Sequence, residues 1–275
     1  MDTKIISVSA QTITPDSTHE HRDNLVKEEP LEIRIGHGAS NKRRQLSIAV
    51  TMRTPGDDEE LATGFLFTEG IIQDSTQILT AKWLAENTLA MELLPAITID
   101  EARLTRHLFT SSSCGVCGKA SLDAVQTVSC FYPAKGRPIV SPEIIYHLPD
   151  TLRAAQATFE ATGGLHAAGL FDNTGKLVLL REDVGRHNAV DKVIGAAMRS
   201  AYSLPFRDFI ILVSGRAGFE LVQKATMAGI PVLAAVGAPS SLAFELAEDS
   251  GMTLIGFLRE NRFNVYTGSE RIKPV

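Results

Sequence analysis

Cys114 and Cys117 are separated by two residues in a run that also holds Ser111, Ser112, Ser113, Gly115 and Gly118. The run is polar and poor in side chains that pack, and its glycines let the backbone turn sharply and expose their neighbours. A helix expected over 119–129 puts the pair near a helix N-terminus. Partial positive charge there, with Lys119 alongside, favours thiolate over thiol. A mobile loop bearing one or two activated thiols is the simplest reading.

Other chemistry fits the same pair. Cys-x-x-Cys is half of a common zinc site, but a structural site takes four ligands. Cys130, the third cysteine, has no partner close by in sequence, and His107, His166 and His187 are scattered without metal spacing. Zinc deaminases pair Pro-Cys-x-x-Cys with an upstream His-x-Glu. Here Ser113 stands in place of that proline and no His-x-Glu occurs. A structural disulfide suits a secreted scaffold better than a chain with three cysteines. A thioredoxin-like pair wants a preceding strand, which the serine run does not resemble. Thiol chemistry, a metal-ligand pair and inert surface cysteines all stay open on local chemistry.

The 275 residues are enough for one large or two ordinary domains, and 44% hydrophobic with 21% charged residues describes an ordinary globular composition. A net charge of −5 provides no global field to draw nucleic acid or an anionic membrane. No apolar run approaches membrane-spanning length and the first residues lack a signal-peptide core, so neither partner is expected and cytoplasm is the expected location.

The elements that must position the chemistry follow from periodicity. Residues 1–29 read as an irregular lead-in. Runs 31–35 and 46–52 alternate apolar and polar residues as an antiparallel pair, a helix follows Pro55-Gly56 to about residue 68, and 88–94 is a strand, giving a small α+β domain over 30–108. The cysteine loop and its following helix occupy 109–135. From 136 to 275 a helix over 141–161, with Pro149 as its expected break, precedes two strands joined by Asp172-Asn173-Thr174-Gly175. Strands and helices then alternate: helix 186–202, strand 209–214, helix 217–228, strand 231–236, helix 240–250, strands 253–258 and 262–267. That order predicts an α/β fold, three-layer with a mixed, mostly parallel sheet.

Three strand-to-helix junctions lie on the carboxyl edge of such a sheet, where open α/β sheets bind ligands. Glu182-Asp183-Val184-Gly185-Arg186-His187 is one; Asp183 is there a plausible N-cap, and His187 reads equally as a packing histidine. Ser214-Gly215-Arg216 is the second, with glycine letting backbone amides approach an anion, and Pro239-Ser240-Ser241 the third. Neither a dinucleotide-fold nor a phosphate-loop glycine pattern is met. Arg186, Arg216, Arg259 and Arg262 at successive strand ends suit an oligo-phosphate ligand, although solvation explains each one alone.

Six segments in order resemble the FdhD/NarQ family, the accessory sulfurtransferases of formate dehydrogenase. They are Thr68-Glu69-Gly70-Ile71-Ile72, Cys114-Gly115-Val116-Cys117-Gly118, Thr162-Gly163-Gly164-Leu165-His166-Ala167-Ala168, the run from Glu182 to Lys192, Ser214-Gly215-Arg216 with Glu220, Gln223 and Lys224, and Gly256 through Arg262. The resemblance implies a cytoplasmic homodimer that takes persulfide sulfur from a cysteine desulfurase. It implies delivery of that sulfur to the molybdenum cofactor, Mo-bis(molybdopterin guanine dinucleotide), before insertion into the formate dehydrogenase catalytic subunit, with no resident metal. It puts the persulfide on Cys114 with Cys117 assisting, and cofactor binding on Phe257, Leu258, Arg259, Glu260, Asn261 and Arg262. Ser214, Gly215, Arg216, Arg186 and His187 join that site, which makes 136–275 the cofactor-binding domain, cytidine-deaminase-like in fold but without the zinc. Some members carry another cysteine at the position of Leu258 and Pro-Gly at Glu260-Asn261, so no catalytic role passes to Leu258. The alternative within the same likeness is a non-catalytic chaperone that binds and escorts the molybdenum cofactor.

Overall fold

Leu31, Ile33 and Ile35 are fully buried while Glu32 and Arg34 between them are not, the alternation of a strand with one covered face. They belong to β3 (Glu29–His37), which pairs antiparallel with β4 (Arg44–Arg53), as the sequence predicts. The structure is a computed structural model that describes residues 4–99 and 131–274. Helix α1 (Asp58–Thr68) opens on Asp58, Glu59 and Glu60, whose charges complement the helix N-terminus, and ends where predicted. β5 (Ile78–Ala85) and β6 (Thr88–Leu93) complete a four-stranded sheet in the order β4-β3-β6-β5, with β3 and β6 parallel. β5 has no counterpart among the predicted strands: it is an edge strand whose Leu79, Trp83 and Leu84 are about half exposed, so no clean alternation marks it.

Residues 5–26 are not the irregular lead-in the sequence suggests. β1 (Ile5–Ile13) and β2 (Thr18–Val26) form an antiparallel hairpin that is a sheet of its own. Both of its faces are largely exposed, so burial imposes no period-2 pattern for a reader of the sequence to find.

The second half follows the predicted order closely. α2 (Pro142–Ala155) starts on proline at its first position and carries Pro149 within it; the break comes at Gln156, ahead of α3 (Ala157–Thr162). β7 (His166–Asp172) and β8 (Leu177–Asp183) make the predicted hairpin, whose Asp172 carboxylate accepts the amide hydrogens of Thr174 and Lys176. Then come α4 (Arg186–Arg199), β9 (Phe209–Val213), α5 (Phe219–Met227), β10 (Val232–Ala235), α6 (Ser241–Asp249), β11 (Thr253–Arg259) and β12 (Arg262–Thr267).

The six strands order as β12-β11-β10-β9-β7-β8. β9, β10 and β11 are parallel neighbours, and the other three pairings are antiparallel. The sheet is therefore mixed rather than mostly parallel, because hairpins close both ends and a short turn joins only antiparallel strands. α2 covers one face, burying Ile145, Leu148 and Leu152 with Ile210, Leu212 and Ile255. α4, α5 and α6 cover the other face, and that core runs on without a break through α1 into the four-stranded sheet.

The junction between the halves is a close helix crossing. A β-carbon on Gly64 of α1 would lie 1.9 Å from the carbonyl oxygen of Asp191, and one on Gly195 of α4 would lie 1.9 Å from that of Glu60. The two backbones touch, and glycine is needed at both positions. Two buried ion pairs flank the crossing. Lys192 Nζ lies 2.7 Å from Asp183 Oδ2 and donates to the Thr54 carbonyl at 2.9 Å. Lys224 Nζ donates to Asp191 Oδ2 at 2.8 Å and to the Thr68 hydroxyl at 2.9 Å, while that hydroxyl is 2.8 Å from Asp191 Oδ1. Burial alone would lower the Lys224 pKa, but the Asp191 and Glu69 carboxylates outweigh it and raise it. Burial pushes the Asp191 carboxyl up, against the pull of the ammonium. The ionised pair is the form the geometry fits, since Asp191 receives donors on both oxygens.

Removing one partner should strand a buried charge. Lys224→Met is expected to lower the unfolding free energy by about 3–5 kcal/mol, and Lys224→Met with Asp191→Asn to lower it by less. Urea unfolding of the two variants checks this; a double variant that loses as much as the single one, or more, would show that a stranded carboxylate is not the cause of the loss.

Candidate functional site

The carboxyl ends of β9, β10 and β11 run on into loops that stay bonded to one another. Gly237 N donates to Gly215 O at 2.8 Å, Phe257 N to Gly237 O at 3.0 Å, and Ser240 N to Ala217 O at 3.0 Å. A side chain on Gly237 would reach 2.9 Å from Gly215 O and 2.9 Å from the Arg216 side chain, so only glycine lets these strand ends approach. Ser240 caps α6, its hydroxyl accepting from Ala243 N at 3.3 Å. The helices that follow bring the positive ends of their backbone dipoles to this edge.

The predicted residues largely gather here. Arg186 and His187 form the first turn of α4, and His187 Nε2 lies 2.9 Å from Glu220 Oε2 of α5. Arg186 Nε is buried with no hydrogen-bond partner among the described residues. Ser214 accepts the Ala167 amide hydrogen at 2.9 Å, so its hydroxyl oxygen ties the end of β9 to β7. Arg216 is exposed beside Gly237. Phe257 is 42% exposed with φ at 52°, a backbone conformation uncommon for a side chain of this bulk. Arg259 Nη1 donates to Val236 O at 2.7 Å, which holds its guanidinium across the end of β10. Arg262 sits opposite Arg259 in the β11–β12 pair, with Glu260 and Asn261 in the exposed turn between them. Among the described residues none of Arg186, Arg216, Arg259 and Arg262 forms an ion pair, and two arginines set opposite each other repel. Such a rim is suited to an anion carrying several charges.

Leu258 does not share this placement. It is 1% exposed and packs in the core on the α2 face, because alternation along β11 sends it inward between the exposed Phe257 and Arg259. Asp183 is likewise no N-cap: Gly185 holds that position. The Asp183 carboxylate is buried and accepts from Gly185 N at 2.8 Å, Asn188 Nδ2 at 3.0 Å and Thr54 N at 3.2 Å, which fixes the loop that presents Arg186 and His187.

Three members of the rim were not among the predicted site residues: Glu220, Gly237 and His166. His166 stands beside Gly215, where a β-carbon would lie 3.4 Å from its Nδ1. Its signal in the sequence was a histidine opening a strand just after Gly163-Gly164. Partial desolvation, then the nearby Arg186 and His187, lower its pKa, and Asp183 opposes them.

Cys114, Cys117 and Cys130 lie outside the described residues. Before that stretch Ile97 and Ile99, and after it Phe131, pack against the main core. The buried Arg271 donates to the carbonyls of Ala134 and Arg137, both at 2.7 Å. The chain is therefore anchored on either side of the cysteines. Among the described residues no three His, Cys, Asp or Glu side chains group as metal ligands, and no helix is long and apolar enough to cross a membrane.

The FdhD/NarQ family matches residues 26–273. The chain is 50% identical over 260 residues to the sulfur carrier protein FdhD of Streptomyces coelicolor, covering 91% of this chain and 89% of that one. It is 52% identical over 259 residues to that of Mycolicibacterium paratuberculosis (91% and 92%), and 43% identical over 250 residues to that of Sulfolobus acidocaldarius (91% of each). A crystal structure of a candidate formate dehydrogenase accessory protein from Desulfotalea psychrophila superposes with a TM-score of 0.72 at 27% identity, covering 98% of this chain and 99% of that one.

A lowered pKa means that His166 binds its proton later in the folded chain than in the unfolded one. Stability should therefore fall as pH drops below about 6.5. In an NMR titration His166 is expected to turn over below that value, and Arg186→Ala to raise the midpoint by removing a neighbouring cation. A midpoint unmoved by Arg186→Ala would place the guanidinium away from the imidazole.

Proposed function

Because the chain belongs to the FdhD/NarQ family, we propose that it is a sulfur carrier serving formate dehydrogenase: a sulfurtransferase that holds sulfur as a persulfide on Cys114, with Cys117 assisting. A cysteine desulfurase supplies the sulfur. The Cys114 thiolate attacks the terminal sulfur of the donor's persulfide, a new S–S bond forms on Cys114, and the donor cysteine leaves as thiolate. Attack of the Cys117 thiolate on the inner sulfur then breaks the persulfide S–S bond, leaving a Cys114–Cys117 disulfide, and the outer sulfur departs at the sulfide level toward Mo-bis(molybdopterin guanine dinucleotide), which the protein binds as its acceptor. The protein acts in the cytoplasm as a homodimer, its larger half having a cytidine-deaminase-like fold.

One observation carries the acceptor side of this reading: arginines at successive strand ends, unpaired among the described residues, beside helix N-termini. A cofactor of two pterins, each joined to a nucleotide, has two pyrophosphates, and guanidinium forks with backbone amides are the groups that recognise them. The exposed ring of Phe257 offers a stacking face for a guanine or pterin. His187, held by Glu220, and His166 add hydrogen-bonding nitrogens along the same edge. Glu260 and Asn261 carry the turn that spaces Arg259 from Arg262. The anchors on either side of the cysteines are what a segment needs if it carries a thiol between donor and acceptor.

Cys114→Ala is expected to abolish persulfide formation after incubation with a desulfurase and cysteine, read as loss of the added sulfur mass, while nucleotide binding persists. Sulfur still gained by the mutant would refute the assignment. If a strain carrying serine at both 114 and 117 keeps its formate dehydrogenase activity, the protein escorts the cofactor rather than supplying its sulfur. Arg262→Ala is expected to weaken guanine-nucleotide binding about tenfold or more in calorimetry, the scale of a lost charge-assisted hydrogen bond. Unchanged affinity would remove Arg262 from the site.

A further inference from the structure

β1 is an unprotected edge. Its nine residues, Ile-Ile-Ser-Val-Ser-Ala-Gln-Thr-Ile, contain no charge, proline or glycine, whereas β2 carries Glu20, Arg22 and Asp23. Exposed edge strands are ordinarily blunted by such residues, because their free N–H and C=O groups otherwise recruit another strand. Among the described residues β1 pairs with β2 alone. A lone two-stranded hairpin is marginal in water, yet this one leaves Ile13 74%, Ile6 44% and Leu25 45% exposed.

The hydrogen bonds say which groups are free. Lys27 N donates to Lys4 O and Thr14 N to Ser17 O, each at 2.8 Å, bracketing the ladder at even-numbered positions. Hydrogen-bonded pairs alternate along an antiparallel ladder. The backbones of Ile6, Val8, Ala10 and Thr12 therefore serve β2, and those of Ile5, Ser7, Ser9, Gln11 and Ile13 face outward.

We propose that β1 pairs antiparallel with β1 of a second copy about a two-fold axis through Ser9. That register sets Ile5 opposite Ile13 of the second copy and Ser7 opposite Gln11 of the second copy, using all five outward positions on both sides. It builds a four-stranded sheet with isologous contacts. A second copy is the occupant favoured here because the strand is uncharged and symmetric in character, apolar at both ends and small or polar between. A charged partner strand would find nothing to match. The same register carries the tip of each arm to the base of the other, where a β-carbon on Gly164 would lie 3.1 Å from Val26 Cγ1, two residues before His166 of the rim. Each copy would thus contribute to the surroundings of its partner's site. This inference rests on the two-copy reading and adds the surface.

Light scattering coupled to size exclusion on the full chain tests it. Wild type is expected as a dimer at about micromolar protein. Ser9→Pro removes an outward N–H without touching the β1–β2 ladder, and Ser7→Lys with Gln11→Lys places charge along the edge. Each is expected to weaken dimerisation at least tenfold while circular dichroism and melting stay near wild type; should Ser9→Pro fold poorly, the lysine pair decides. Dimers of undiminished affinity in the folded variants would overturn the surface and leave the two-copy reading standing. A monomeric wild type would overturn both.

Discussion

The contact between α1 and α4 is the constraint on which the rest depends. Two glycines bring the helix backbones together at Gly64 and Gly195, and the crossing would open if either carried a side chain. Buried charge makes the approach specific. Lys192 joins Asp183 to the segment after β4 through Thr54, and Lys224 joins Asp191 to the end of α1 through Thr68. Buried pairs of this kind rarely add much stability compared with apolar packing, but they are costly to leave half made. They therefore penalise any other docking of the small sheet on the large one.

That geometry is carried straight to the rim. Asp183 is both the counterion of Lys192 and the acceptor for Gly185 N, so the ion pair that seats α4 also shapes the loop that presents Arg186 and His187. Asp191 and Lys224 lie on the two helices, α4 and α5, whose His187 and Glu220 meet across the edge. A rim of arginines that repel each other needs a rigid frame, and here the frame consists of buried, paired charges. Gly237 completes it by letting the strand ends run on as a bonded ladder beyond the strands themselves.

Much of this was legible in the residues. Period-2 runs gave β3 and β4, the Asp-Asn-Thr-Gly turn gave β7 and β8, and the almost wholly apolar run 209–214 gave β9. These readings hold because burial writes a period into the sequence. Where nothing is buried no period is written, so the β1–β2 hairpin and the edge strand β5 went unread. Topology escaped for another reason: alternation of strands and helices suggests parallel pairing, but the position of β7 beside β9 is set by packing between distant segments.

The residue types and their order determined by themselves which atoms could do chemistry: two thiols on a serine- and glycine-rich run, and arginines at strand-to-helix junctions. Tertiary structure alone decided which of the junction groups meet. It turned Leu258 into the core while leaving Phe257 and Arg259 outside, converted Asp183 from a supposed cap into a buried counterion, and brought His166 to Gly215. The reason is that side-chain chemistry is a local property of the chain, whereas burial, charge pairing and proximity belong to segments over a hundred residues apart, as Thr54 and Asp183 show.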